Sequence, residues 1–414
     1  MKKSITLILA ASIILSALTG CSSRDNISDS DTDAKKISLK VWGPQEDQSS
    51  DGNEGWLNKM CEKFDRDHPE WDITYEFGVC SEGDAGKNIV DDPEGAADVY
   101  FFSNDQLGML IEANAIARLG GKALEQVESS NSDIMIKSVT YNGGVYGIPF
   151  TGNTWFMFYD KSVYSEEDIK SLDTMLEKGK VAFPLTTGWY TASFYFAGGG
   201  SMFGENGDDA SAGIDFGGEN GAAVTKYIID LVKNPNFTVD SQGAGKSGII
   251  NGTVSAMFSG TWDANDIEEA LGENFGAAPL PTISINGEAK QLRAFAGSKA
   301  VAANPNCDEP QAAVALAAFL GSTEAQKEHY EMRNIIPADK ALTDDAALKN
   351  DIVAIAQAAT LESTSVLQPS IPEMSNYWDN AETMMKAIVS GDVNQKNYVE
   401  KTEQFNRSLN GSSQ

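Results

Sequence analysis

From residue 37 to residue 113 the chain alternates β-prone runs with helical stripes, and that order limits the folds open to it. Residues 37–42 and 71–77 alternate apolar and polar side chains, as strands with one buried face do. Between them Trp56, Met60, Cys61 and Phe64 share one helical stripe, and His68-Pro69 ends it. Residues 99–102 read as a third strand and 104–113 as a second helix. Strand–helix–strand–helix order predicts an α/β fold whose mostly parallel sheet is covered on both faces. Asn142-Gly143 predicts a tight hairpin, because both residues tolerate positive φ. The unbroken apolar run at 154–159 predicts a buried central strand. Helical patterns recur at 166–178, 222–232, 263–271, 311–320, 323–332, 351–359 and 381–389. Pro310 suits a first helical turn, and Thr323 with Gln326 has capping-box spacing. A length of 414 residues leaves room for two or three domains.

The N-terminus predicts export. Lys2 and Lys3 precede an apolar run from 5 to 18 that is too short for a membrane span. The run ends in Leu18-Thr19-Gly20-Cys21, which resembles the box cut by the lipoprotein signal peptidase. Residues 1–20 then form a signal peptide, and the Cys21 thiol takes the lipid that holds the chain to the outer side of the cytoplasmic membrane. Residues 21–36 carry too little apolar surface to repay the entropy of ordering, and read as a disordered tether. Asp29, Asp31 and Asp33 have the spacing of a calcium loop. However, Ala34 and Lys40 stand where that loop needs glycine and a bidentate glutamate. Cys61, Cys80 and Cys307 remain after processing, an odd count that reads as free, mostly buried thiols.

With 60 acidic against 31 basic residues the net charge is −29, which excludes nucleic acid as a partner because phosphates need a basic footprint. Several catalytic signals fail. Gly243-Ala244-Gly245-Lys246-Ser247 resembles the end of a P-loop, but Asp240 stands at the motif's first glycine, so a helix start is expected there. His68 and His329 are the two histidines, and neither has a partner at metal or relay spacing. No carboxylate pair is set apart as a glycosidase pair. No metal and no cofactor are expected, and binding without turnover is the reading that remains. The informative residues are aromatic. Phe102, Trp189, Tyr190, Trp262 and Trp378 sit at element ends or glycine-flanked turns, where a flat ring can face a cleft and stack on a sugar. The alternative for each is a ring that plugs the core.

Seven segments then carry a resemblance: VWGPQEDQ (41–48), EKFDRDHPEW (62–71), ADVYFFSNDQLG (97–108), YNGGVYGIPF (141–150), MFYDKSVY (157–164), NGTVSAMFSGTWD (251–263) and IPEMSNYWDNAETMMKAIVSG (371–391). In this order they resemble the carbohydrate-type extracellular solute-binding proteins of ABC importers, in particular the maltose/maltodextrin-binding group. The resemblance implies a monomer of two α/β lobes, 37–152 plus 297–345 and 153–296 plus 346–409, hinged around a ligand cleft. It implies delivery to membrane permease subunits. The implied ligand is a malto-oligosaccharide; a xylan or mannan fragment is the alternative within the class, and a surface glycoside hydrolase or an adhesive lipoprotein the alternative outside it.

By position, Gln45, Glu46 and Asp47 would contact sugar hydroxyls, as would Asp105 and Asn153. Phe102 and Trp189 would stack on sugar with Tyr190 nearby, and Trp262 and Trp378 match stacking tryptophans without change. Gln106 and Glu382 replace arginines of the best-known members, and Asn153 and Thr187 replace glutamates. The cradle of rings is kept while the charged hydrogen-bonders change, which leaves sugar, linkage and chain length open. Changing Cys21→Ala is expected to leave the precursor unlipidated and uncut by the lipoprotein signal peptidase. Mass spectrometry of the native protein checks this, and an unmodified Cys21 would contradict it.

Overall fold

A computed structural model describes residues 34–50, 52–204 and 207–411. The expected signal peptide, Cys21 and most of the tether lie outside the described residues. The first strand, Lys35–Gly43, begins two residues earlier than expected, inside the segment read as tether. Parallel pairing with Trp71–Val79 starts at Lys35↔Trp71, and the Lys35 ammonium reaches Glu309.

Two sheets organise the chain. The first has the order Ser365–Leu367, Ala294–Ala303, Val99–Ser103, Lys35–Gly43, Trp71–Val79, with Ile148–Asn153 also paired to Ala294–Ala303. Its last three strands are parallel, as the strand–helix alternation predicts. Ala294–Ala303 runs antiparallel to Val99–Ser103 and to Ile148–Asn153. The second sheet has the order Phe237–Val239, Val181–Phe183, Ala256–Ser259, Phe156–Asp160, Phe275–Ala278. Phe156–Asp160 is an interior strand with Phe156, Met157 and Phe158 fully buried, which agrees with the apolar run that marks it.

Each sheet has its own core. Leu39, Val41, Trp56, Phe64, Phe101 and Leu316 pack around the first, and Trp155, Phe183, Phe194, Tyr195, Phe216 and Tyr377 around the second. Ala294–Ala303 crosses between them. Ala294 and Phe295 belong to the second core and Ala300–Ala303 to the first. The chain makes another crossing between Phe150 and Trp155. Two cores joined by crossing strands make a two-lobed α/β architecture.

Residues 166–178, expected as one helix, divide into the 3-10 turn Asp168–Lys170 and the helix Leu172–Lys178. Other local details follow the sequence, with two further exceptions. Asn142 and Gly143 have φ of 47° and 72° in the expected hairpin turn. Pro310 opens Pro310–Leu320, and Gly243, at φ 76°, opens Ala244–Ile250. The capping box expected at Thr323 and Gln326 does not form. Ser322 is the N-cap and accepts from the Ala325 amide, while the Thr323 hydroxyl goes to Asp339. Gln326 is buried one residue deeper into the helix and binds other backbone instead, donating to Gly321 O and Pro149 O and accepting from Ala338 and Asp339 amides. The second exception is His329. It lies on a largely charged helix, yet its ring is buried 4.3 Å from Trp56 and 5.6 Å from Phe150. The three described cysteines are free, with Cys61 and Cys80 buried. Among the described residues no helix is long and apolar enough to cross a membrane.

Candidate functional site

The carboxyl ends of the parallel strands open toward the gap between the cores, where α/β sheets place their ligands. A cavity of about 380 Å³ lies there. One wall comes from the loops after the first two strands (Glu46, Asp47, Glu82), from Asn153 and Lys299 on the crossing strands, and from His329 and Arg333. The opposite wall comes from Thr261, Trp262, Asn265 and Asp266 of the other lobe. A larger cavity of about 730 Å³ shares Gly152 with this one, but no aromatic ring lines it and it holds none of the expected contacts.

Trp262 dominates the second wall. It is 48% exposed, a large loss of apolar burial that a core-plugging ring would not show. Its ring folds over Gly260, where an added Cβ would lie 2.1 Å from Cζ3. Glycine at 260 therefore lets the indole lie flat with its other face open. Trp189 stands beside it, ring centroids 6.0 Å apart, and its indole Nε1–H donates to Gln368 Oε1 at 2.9 Å. Trp378 is partly buried and packs on Gly188, the residue before Trp189. The Tyr377 hydroxyl donates to the Gly188 carbonyl at 2.7 Å, which pins helix Ser375–Ser390 to helix Gly188–Ala197. These contacts place three of the expected rings near one another in one lobe, but of the three only Trp262 lines the cavity.

Two expected rings behave otherwise. Tyr190 is buried against Trp155, centroids 4.8 Å apart, and reaches only a side recess next to Trp262. Phe102 is a correction. It is fully buried in the first core, packed beside Tyr100 and against Gly147 and Ala300, so its ring has no face to offer a ligand. Every side chain of Val99–Ser103 is buried, because this strand is covered on both faces.

The first wall is polar and internally paired. Asp47 Oδ1 lies 2.9 Å from His329 Nε2 and accepts from Arg333 Nε–H at 3.2 Å. Burial alone would raise the Asp47 carboxyl. The His329 hydrogen bond and charge outweigh it together with Arg333, and hold the group below the ordinary carboxylate range. Lys299 Nζ meets Glu82 Oε1 at 3.2 Å. Gln106 positions that glutamate's loop, donating to the carbonyls of Glu82 and Gly83 and accepting from the Gly86 amide. Gln45 is exposed and does not line the cavity. Asp105 also lies off it, in the 3-10 turn Asn104–Gln106, where burial raises its carboxyl to about 6. Glu382 pairs with Lys386 at 2.8 Å on its own helix.

Sequence reasoning missed Glu82, Lys299, His329 and Arg333. No local spacing marks them, since Arg333 and Asp47 are 286 residues apart and Lys299 and Glu82 are 217 apart. Among the described residues no cluster of His, Cys, Asp and Glu could hold a metal ion.

The Gly260 contact gives a test of the aromatic wall. Gly260→Ala is expected to push the Trp262 indole out of its seat and change the tryptophan emission, an effect absent when Trp262 is already Phe. Unfolding stability should move by no more than about 0.5 kcal/mol, because an exposed ring contributes little to the core. An unchanged emission spectrum in Gly260→Ala would contradict the packing described.

Comparison with known proteins identifies the family of the fold. The chain is 28% identical over 411 residues to the maltodextrin-binding protein MdxE of Bacillus subtilis, covering 93% of this chain and 92% of that one. It is 27% identical over 418 residues to a galactooligosaccharide-binding protein of the same organism, covering 95% and 94%. A solved structure with acarbose is 48% identical, with a TM-score of 0.87 over 91% of this chain and 99% of the other. Residues 59–355 match the family described as bacterial extracellular solute-binding protein, and the chain belongs to that family.

Proposed function

We propose that this protein captures malto-oligosaccharides outside the cell and delivers them to the membrane permease of an ABC importer. The observation that carries the reading is the exposed Trp262, seated on Gly260, facing a wall of paired charges across an interlobe cavity. Pyranose rings have C–H faces that stack on indole and hydroxyl edges that exchange hydrogen bonds with charged groups. If stacking removes roughly 50 Å² of apolar surface from water, it contributes on the order of 1.2 kcal/mol per ring. Glu46, Asp47 and Asn153 would meet the hydroxyl edge, with Trp262, Trp189 and Trp378 along the C–H face. Asp105 and Gln45 would join only as the lobes close. The hinging bodies are 37–152 plus 297–345 and 153–296 plus 346–409, with Cys21 as the lipid anchor and the chain acting as a monomer.

The maltodextrin-binding relative and the neighbour with acarbose support an α-glucan ligand. The galactooligosaccharide-binding relative supports a second reading, a galacto-oligosaccharide in the same cleft. We read the protein as a receptor rather than an enzyme on the strength of its binding-protein relatives. In the cleft Asp47, Glu82 and Asp266 pair with cations, while Glu46 has no ion pair among the described residues.

Thermal-shift titration with maltotriose to maltohexaose, alongside galacto-, xylo- and manno-oligosaccharides, tests the choice. A ligand at 100 times its Kd stabilises the fold by about 2.7 kcal/mol. We expect that stabilisation with the maltodextrins and unchanged sugar after a day's incubation by chromatography. Stabilisation by galacto-oligosaccharides alone would favour the second reading, and carboxylate-dependent hydrolysis would end the receptor reading.

A further inference from the structure

We propose that Arg333 and Asp47 form a donor–acceptor clamp for two neighbouring hydroxyls of the sugar ring stacked on Trp262, with His329 as the residue that positions the clamp. The inference rests on the receptor reading above and names a ligand-contacting residue, Arg333, that its sequence does not reveal.

Arg333 and Asp47 both have unused hydrogen-bonding capacity. A guanidinium carries five N–H donors. Only Arg333 Nε–H is engaged, on Asp47 Oδ1, and its four Nη hydrogens have no protein partner among the described residues. The Arg333 side chain is 36% exposed and lines the cleft. Asp47 is nearly fully buried, and both of its protein partners use Oδ1; Oδ2 has none among the described residues. Oδ2 is not one of the buried side-chain atoms left without a partner, so it stays reachable from the cleft, where a donor can meet it. A vicinal diol offers a donor and an acceptor side by side, which complements Oδ2 and the Nη edge.

The clamp is held rigidly. The His329 ring lies 4.3 Å from Trp56, whose indole Nε1–H is fixed on the Ala325 carbonyl at 2.9 Å. His329 in turn fixes Asp47, and Asp47 fixes the guanidinium. This chain of contacts runs from the first core to the cleft surface and leaves the outer edge of Arg333 with few orientations. Its neighbour Asn334 donates to Asn265 Oδ1 at 3.3 Å, three residues from Trp262, so the two walls already meet beside the clamp.

The test is calorimetric titration of the full chain, wild type and variants, with maltotriose and its monodeoxy analogues. Melting curves without sugar first establish that each variant is folded. Arg333→Ala is expected to weaken maltotriose binding about ten- to a hundredfold, the range for losing a charged hydrogen bond. Arg333→Lys should not restore it, because an ammonium lacks the planar fork. His329→Gln, which acts through Asp47 because the ring is almost wholly buried behind it, should weaken binding less. One monodeoxy analogue should bind the wild type poorly and lose nothing more in Arg333→Ala, since the missing hydroxyl and the missing guanidinium belong to one contact. If Arg333→Ala lowers affinity for every analogue by one common factor, or not at all, Arg333 only supports the fold and the clamp is wrong. If the wild type binds no maltodextrin, the receptor reading for α-glucans fails and takes the clamp with it.

Discussion

Strand Ala294–Ala303 has one end in each hydrophobic core, and the rest of the architecture follows from that arrangement. A single strand cannot pack its whole length against one compact core when its two ends are claimed by different clusters. The cores must stand apart, and the gap between them is bounded by the strand itself and by the crossing at 150–155. Lys299 and Asn153 project from these crossing segments into the cavity. The cleft floor is therefore made of the elements about which the lobes would turn, so ligand contact and lobe orientation are coupled by construction.

On the proposed reading the two walls would divide the work of recognition by chemistry. One lobe supplies indoles, whose flat faces reward apolar contact and tolerate several ring positions. The other supplies charged groups already neutralised in pairs, Asp47 with His329 and Arg333, and Glu82 with Lys299. Pre-pairing matters, since an isolated buried charge would be expensive in the empty cleft. A paired charge still has donors and lone pairs left for hydroxyls, at a geometry fixed before ligand arrives, and that preorganisation lowers the entropy lost on binding. Gly260 plays the same part for the aromatic wall, giving the Trp262 ring a seat that no larger residue would leave open.

The fold was legible wherever periodicity and burial coincide. The alternating runs at 37–42 and 71–77 and the apolar run at 154–159 became strands of the expected kind. Trp262 was legible because a glycine and a turn precede it. Phe102 was not, although the sequence held the contrary signal: Val99–Ser103 is an apolar run of the kind that marks a strand covered on both faces, and its phenylalanines are core. The charged wall was invisible for a different reason. Asp47, His329 and Arg333 meet only after the first strand and a distant helix pack together, and no local pattern anticipates that meeting. Thr323 and Ser322 show the smaller version of the problem, where two adjacent hydroxyl residues compete for one cap and tertiary contacts decide.

In the proposed mechanism the two lobes close on a sugar held between an aromatic and a charged wall. Small-angle X-ray scattering of the full chain, without sugar and saturated with maltotriose, measures this most directly. We expect a smaller radius of gyration and a more compact distance distribution in the saturated sample. Saturable heat release on titration of the same sample, with scattering profiles that superimpose, would contradict it: the sugar would then bind without lobe closure.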